Sequence, residues 1–184
     1  MSIRHLEQHF LALCCSRQVP GRPILLALDL ATTLRDAGIG VIGGFQTSVE
    51  RDCLDFLLKG SQPVVVVAPR GPYSENRIPA NLRPGLAAGN VSLIYPYAEG
   101  HARVTRETSA AANALVDELA AAMFVIHASE AGETWRRAER LIAVGKSVFT
   151  FSVPENEALL QAGAVGIEPE IVRDPARLQS SIGW

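Results

Sequence analysis

Cysteine is scarce in this 184-residue chain, aromatic residues make up only 6% of it, and no apolar run approaches the length of a membrane span. Each shortage removes a class of protein. Three cysteines, two of them adjacent at Cys14 and Cys15, form no disulfide framework, and no CxxC or Cys/His zinc spacing is present. No metal or other cofactor is therefore expected, and the setting reads as reduced and cytoplasmic. A bilayer span takes roughly 18 or more consecutive apolar residues, so no membrane partner is expected. The opening MSIRHLEQHFLALCC also lacks the long apolar stretch and small-residue cleavage site of a secretory signal. An excess of one charge is missing too: 17 basic against 19 acidic residues leave a net charge of −2, with no global pull towards a polyanion. Contact with nucleic acid would have to be local. Arg outnumbers Lys among the basic residues, which suits bidentate phosphate binding, although GC-rich codon usage gives the same bias.

What is present fits one globular domain over residues 1–184, with 48% hydrophobic and 20% charged residues. Short β-branched apolar runs alternate with longer helical patterns. Strands are expected at Phe10 to Cys15, Ile39 to Ile42, Val64 to Ala68, Val91 to Tyr95, Met123 to His127, Ser147 to Phe151 and Val165 to Ile167. Helices are expected at Ile24 to Ala37, after Thr47, around Ser109 to Ala121, from about Glu133 to Val144, and at Asn156 to Gln161. Thr47 with Glu50 three residues later forms a capping box. Pro69 to Asn90, rich in Pro, Gly and Arg, reads as a long loop. Repeated βα units need right-handed crossovers, so the expected fold is an α/β, single Rossmann-like three-layer domain with a mostly parallel sheet. Ligands in such folds bind at the carboxyl ends of the strands, near the point where strand order reverses.

The residues just after the strands are therefore the candidates. Gly38-Ile-Gly40-Val-Ile-Gly43 matches the letters of a dinucleotide fingerprint but precedes and fills a strand, where it cannot place a pyrophosphate on a helix N-terminus. Gly43, Gly44, Gln46 and Thr47 do lie between a strand and a helix, as an anion seat or as an ordinary capped turn. Ser16 and Arg17 after the first strand and Arg70 after the third reach the same edge, where Arg suits phosphate. Gly132, Glu133 and Thr134 open a later helix, a second seat for an anion or a plain helix start. His127 ends a strand as either a ligand contact or a hydrogen-bonded interior histidine. Between Pro69 and Arg106, five Arg face Glu75 and Glu99, with Tyr73, Tyr95 and Tyr97 in the same region. His5 and His9 share helical spacing without further metal ligands.

The run LALCCSRQVPG followed by GIGVIGGFQTSVE resembles the Rossmann-like domain of the DNA-processing protein A (DprA/Smf) family, which has G-S-R after its first strand and S-G-G-x-x-G-I-D after its second. Cys15-Ser16-Arg17 keeps the Ser-Arg, and Gly43-Gly44 keeps the glycine pair. ANALVDELAAAMFVIHA looks like the family's R-N-R-I-I-A-G-L-S segment, with Asn113 at the Asn position and Ala112 and Ala114 in place of the two Arg. Gly132-Glu133-Thr134 falls at a Gly-Ser pair, and NEALLQAGA is similar to N-x-L-I-x-x-G-A. The resemblance covers roughly Phe10 to Ile167 and implies a Rossmann-like fold that binds single-stranded DNA. The wider superfamily includes lysine decarboxylase-like phosphoribohydrolases and molybdenum cofactor carriers. Arg137 stands where the phosphoribohydrolases carry a catalytic Glu.

The leading expectation is a non-catalytic module, DprA/Smf-like, that holds a nucleotide or the phosphates of single-stranded nucleic acid through Ser16, Arg17, Gly43, Gly44, Gln46, Thr47, Arg70, Asn113, Gly132 and Thr134. The alternative is an enzyme acting on a nucleotide or nucleotide-derived cofactor, with Glu133 or Glu139 as the acid. Folds of this type often dimerise through helix faces, so a homodimer is compatible with either reading.

Overall fold

In a computed structural model the residues described are 9–72, 74, 77–97 and 103–184, so the expectations placed on His5, Tyr73, Glu75 and Glu99 lie outside them. Seven strands form one sheet: β1 (Leu11–Cys14), β2 (Val41–Gly43), β3 (Val64–Val67), β4 (Val91–Ile94), β5 (Ala122–Val125), β6 (Val148–Phe151) and β7 (Val165–Ile167). Their order is β4-β3-β2-β1-β5-β6-β7, and every pairing is parallel. β1, β3, β5 and β6 are buried at every position, while the outermost strands, β4 and β7, are only partly covered. Continuous apolar strands need both faces covered, and the helices supply that cover.

Side chains alternate across β1, so Leu11, Leu13 and Cys15 enter one core while Phe10, Ala12 and Cys14 enter the other. The first core is closed by α1 (Gly21–Asp36), α2 (Ser48–Leu57), α7 (Pro169–Val172) and α8 (Pro175–Ile182). The second is closed by α4 (Arg106–Leu119), α5 (Glu133–Ala143) and α6 (Glu157–Gln161). The change of face follows from handedness. Strands β1 to β4 progress one way with their helices on one face, and right-handed crossovers progressing the other way put α4, α5 and α6 on the opposite face.

Two regions differ from the sequence reading. The second half of the expected loop folds as a 3-10 turn (Ala80–Leu82) and α3 (Arg83–Ala88). Pro84 is tolerated there because it sits in the first turn, where its missing N–H is not needed. Gly85 leaves room for Val91, since a Cβ there would clash with Val91 Cγ2. After β7, α7 and α8 extend the first layer unforeseen. Asp174 caps α8 by accepting from Ala176 and Arg177 N–H, and Leu178 and Ile182 turn inward.

α1 shows how closely the packing follows the helical spacing. Leu26, Leu30 and Leu34 are buried, yet Leu25, one residue away from the inner stripe, is 67% exposed. Leu30→Ala is expected to lower unfolding free energy by about 2–5 kcal/mol, whereas Leu25→Ala should change it by less than about 0.5 kcal/mol. Urea unfolding of the two variants beside the wild type measures both, and similar losses at the two positions would contradict this orientation of α1.

Candidate functional site

β1 and β5 are adjacent, but the chain leaves them over opposite faces, so the strand order reverses between them, and the crevice position at which such sheets bind ligands falls at their carboxyl ends. Ser16 closes its floor. Its N–H donates to the His127 carbonyl at 2.9 Å, and its hydroxyl oxygen accepts from Ser129 N–H at 3.0 Å. Ser16 is therefore buried, while Arg17 beside it is exposed.

The turn from β2 to α2 is organised by an acid that the sequence reading treated only as a cap. Glu50 Oε2 accepts from Gln46 N–H (2.7 Å) and Thr47 N–H (3.2 Å), and Glu50 N–H donates to Thr47 Oγ1 (3.2 Å). The second oxygen reaches further: Oε1 accepts from Cys15 N–H at 2.8 Å and ties the end of β1 to the start of α2. The chain thus places its own carboxylate at the positive end of α2. Burial pushes the Glu50 carboxyl above its ordinary value, against the opposing pull of the Thr47, Cys15 and Gln46 N–H groups and of Arg137. Gly43 is small for a packing reason, since a Cβ would lie 3.1 Å from the Phe45 ring and 3.2 Å from the Leu13 carbonyl. Phe45 itself is in the left-handed region with φ 46°. A Cβ at Gly44 would meet only the movable end of Gln46.

At the start of α5, Gly132 is the N-cap and no side chain caps the helix. A Cβ on Gly132 would fall 2.9 Å from the Ser129 carbonyl, and Ala131 before it has φ 59°. Thr134 follows, half-buried; Glu133 is 54% exposed with a carboxylate oxygen 3.7 Å from Arg136, and Glu139 is exposed. Arg137 is buried and pairs with Asp117, donating from Nε at 3.1 Å and Nη2 at 2.6 Å, which fastens α5 to α4. Lys146 Nζ completes that cluster on the Asp117 and Ala120 carbonyls. Asn113 stands seven residues along α4 from its first residue, about 10 Å down the helix at 1.5 Å per residue. Arg70, after β3, is half-buried and donates from Nε to the Gly71 carbonyl. The fold thus gathers Ser16, Arg17, Gly43, Gly44, Gln46, Thr47, Gly132 and Thr134 around the crevice, sets Arg70 two strands out, and places Asn113 lower on a helix.

Charge divides along the same edge, counting described residues from each strand end through the first turn of the next α-helix. Over β1 to β4 lie Arg17, Arg22, Arg51, Arg70, Arg77, Arg83, Arg103 and Arg106 against Glu50 and Glu107. Over β5 to β7 lie Glu130, Glu133, Glu155, Glu157, Glu168 and Glu170 against Arg136. An open groove of about 550 Å³ on the acidic half is lined by Ser152, Val153, Pro154, Glu157, Leu160 and Glu168, a lining without a cation for an anion. Among the described residues no group of three or more His, Cys, Asp or Glu is placed to hold a metal ion, and no helix is long and apolar enough to cross a membrane.

Sequence reasoning missed two members of this edge. Asn156 is buried and bonds His127 Nδ1 through Oδ1 at 2.8 Å, and Thr150 bonds Asn156 in turn. The signal was the Asn that starts the NEALLQAGA segment, but nothing in one sequence pairs it with a strand end 29 residues earlier.

Two outcomes follow from these environments. A carboxyl whose folded-state value is raised contributes stability that is complete below the unfolded value, 4.5 for Glu50, and is lost as pH rises through the folded value. The unfolding free energy of wild type relative to Glu50→Gln should therefore fall as the pH rises above 4.5, and denaturant titrations showing a rise would contradict this assignment. Burial holds the Cys14 and Cys53 thiols up near about 12 and raises Cys15 as well. A thiol-specific chromogenic reagent at about pH 8 should leave the native protein unlabelled and titrate all three cysteines in denaturant; rapid labelling of the native chain would show that one thiol is accessible.

No family model matches the chain, and no curated protein matches it by sequence. Solved structures match it by fold. DNA processing protein A from Streptococcus pneumoniae superposes with a TM-score of 0.73 at 16% identity, covering 95% of this chain and 62% of that one. DNA processing protein A from Helicobacter pylori, described for its single-stranded DNA binding mode, gives 0.72 at 15% identity over 98% of this chain and 83% of that one. The molybdenum cofactor carrier protein from Chlamydomonas reinhardtii gives 0.62 at 12% identity over 96% and 99%. The chain thus spans about three fifths of the Streptococcus protein's length. The resemblance in the motifs is matched at the level of the fold, a Rossmann-like domain of the kind these proteins share.

Proposed function

We propose that this chain binds the phosphates of a nucleotide or of single-stranded nucleic acid at the carboxyl edge of the sheet, over β1 to β4. The observation that carries this reading is the division of charge along that edge, which changes sign at the crevice between β1 and β5. A net charge of −2 hides a cationic arc, whose eight arginines outnumber Glu50, Glu75, Glu99 and Glu107 in the same segments of the sequence, and a phosphate chain would be drawn to it while the acidic half repels it. Arg17 is the central contact, exposed beside Ser16 at the crevice; Gly43, Gly44, Gln46, Thr47, Gly132 and Thr134 form its walls, and Arg70 and Asn113 are outlying contacts. Glu50 already takes the Gln46 and Thr47 N–H groups. The turn therefore serves as a rigid wall, and arginines supply the charge. The single-stranded DNA binding described for the Helicobacter pylori protein favours a ligand with phosphate on this fold, and the cofactor carriage named for the Chlamydomonas protein favours a small-molecule ligand on it. A role in DNA processing in the cytoplasm is the corresponding biological setting.

The test pairs thermal unfolding in a panel of mononucleotides with fluorescence anisotropy of a labelled single-stranded oligonucleotide. A mononucleotide at about 100 times its dissociation constant raises stability by about 2.7 kcal/mol. Single-strand binding should weaken steeply with salt as arginine contacts release counterions. Arg17→Glu and Arg106→Glu are each expected to weaken the bound species at least about tenfold, while Glu157→Gln, on the acidic half, should not weaken it. Wild type that binds neither probe, or binding indifferent to both Arg substitutions, would overturn the proposal.

A further inference from the structure

His127 lies where the charge changes sign, at the end of β5, and its ring is held by hydrogen bonds whose directions can all be assigned. Thr150 hydroxyl donates to the Val125 carbonyl at 2.8 Å, so Thr150 Oγ1 is left to accept. Asn156 Nδ2 donates to that oxygen at 2.8 Å and to the Ile126 carbonyl at 2.9 Å. Both amide hydrogens are thereby used, and Asn156 Oδ1 is fixed facing His127 Nδ1 at 2.8 Å. An amide oxygen only accepts, so Nδ1 carries the hydrogen, and in the neutral ring the lone pair sits on Nε2. Asn156 is 1% exposed and Thr150 is fully buried, so water does not compete for these bonds. Nε2 is different: it has no protein partner among the described residues, yet it is not among the buried atoms left without one, so solvent reaches it.

Three buried bonds, two of them ending on backbone carbonyls, thus choose one tautomer for a ring whose other nitrogen has no hydrogen-bond partner among the described residues. We propose that His127 Nε2 is a ligand contact that accepts a hydrogen bond from a polar hydrogen of the bound nucleoside, a sugar hydroxyl or a base amine, with Asn156 and Thr150 as its positioning residues. This rests on the phosphate-binding reading and completes it. The phosphate lies over the arginines of β1 to β4, and the donor-bearing part of the ligand extends across the crevice towards Glu130, while Glu155 on that side is paired with Arg22 at 3.7 Å. His127 would then read the ligand's uncharged part, for which arginines provide no selection.

The first measurement needs no ligand. Long-range proton–nitrogen spectra of the nitrogen-15-labelled wild type, with the His127 signals identified by their absence in His127→Phe, report which ring nitrogen carries the hydrogen. The expected result for the neutral ring is a protonated Nδ1 and a bare Nε2; a ring protonated on Nε2, or averaging between tautomers, would overturn the proposal. The second compares adenosine 5′-monophosphate, its 2′,3′-dideoxy analogue, inosine 5′-monophosphate and a labelled single-stranded DNA oligonucleotide. His127→Phe should weaken adenosine monophosphate or the oligonucleotide about tenfold, the scale of one hydrogen bond. The analogue lacking the donor should bind wild type and variant equally. The dideoxy analogue identifies a sugar hydroxyl, and the inosine nucleotide identifies the base amine. If Arg17→Glu abolishes binding and His127→Phe leaves it unchanged, the His127 contact fails and phosphate binding stands; if wild type binds none of the four, both fail.

Discussion

A parallel sheet with right-handed crossovers must change faces where its strand order reverses, and in this chain the reversal falls between β1 and β5. The rest of the molecule is arranged around that constraint. Because α1 and α2 cover one face and α4 and α5 the other, none of the described helices covers the carboxyl ends of β1 and β5. The backbone there must find partners locally. Ser16 and Glu50 provide them: one bridges β1 to the loop after β5, the other bridges β1 to the turn before α2. The crevice is thereby held open by short bonds across segments far apart in the chain.

Glu50 explains why a glycine-bearing βα turn here is not by itself a phosphate seat. In a turn that takes a ligand's phosphate, the first N–H groups of the helix point at the ligand. Here a buried carboxylate already accepts from Gln46, Thr47 and Cys15, and its negative charge occupies the positive end of α2. An anionic ligand has to be held by side chains that extend beyond this turn. The arginines over β1 to β4 meet that need, and the buried Arg137–Asp117 pair on the other face shows that not every arginine near a helix start belongs to the edge.

Much of this was legible in the chain itself. VVVVA at Val64 to Ala68 could only be a doubly covered strand, and the Thr47–Glu50 box marked the start of α2 at its true place. The 3-10 turn and α3 were not legible, because Pro84 and Gly85 read as loop residues and only contact with β4 makes Gly85 fit a helix. α7 and α8 escaped for a related reason: each is short and gains its order from packing beneath α1, a partner more than a hundred residues away. The left-handed Phe45 was equally invisible, since an aromatic residue gives no local hint of positive φ and is held there by packing over Gly43.

For the candidate site the split is sharper. The sequence by itself determined the βα order, the parallel sheet, the edge on which ligands would sit and most residues at that edge, because apolar periodicity and strand ends are local properties. Only the tertiary structure decided which of those residues meet. The reach of Glu50 to Cys15, the lock of Thr150 and Asn156 on His127, and the division of eight arginines from six glutamates about one crevice all depend on strand order. Strand order places β5 beside β1 across more than a hundred intervening residues, and no local pattern in the chain encodes that neighbour.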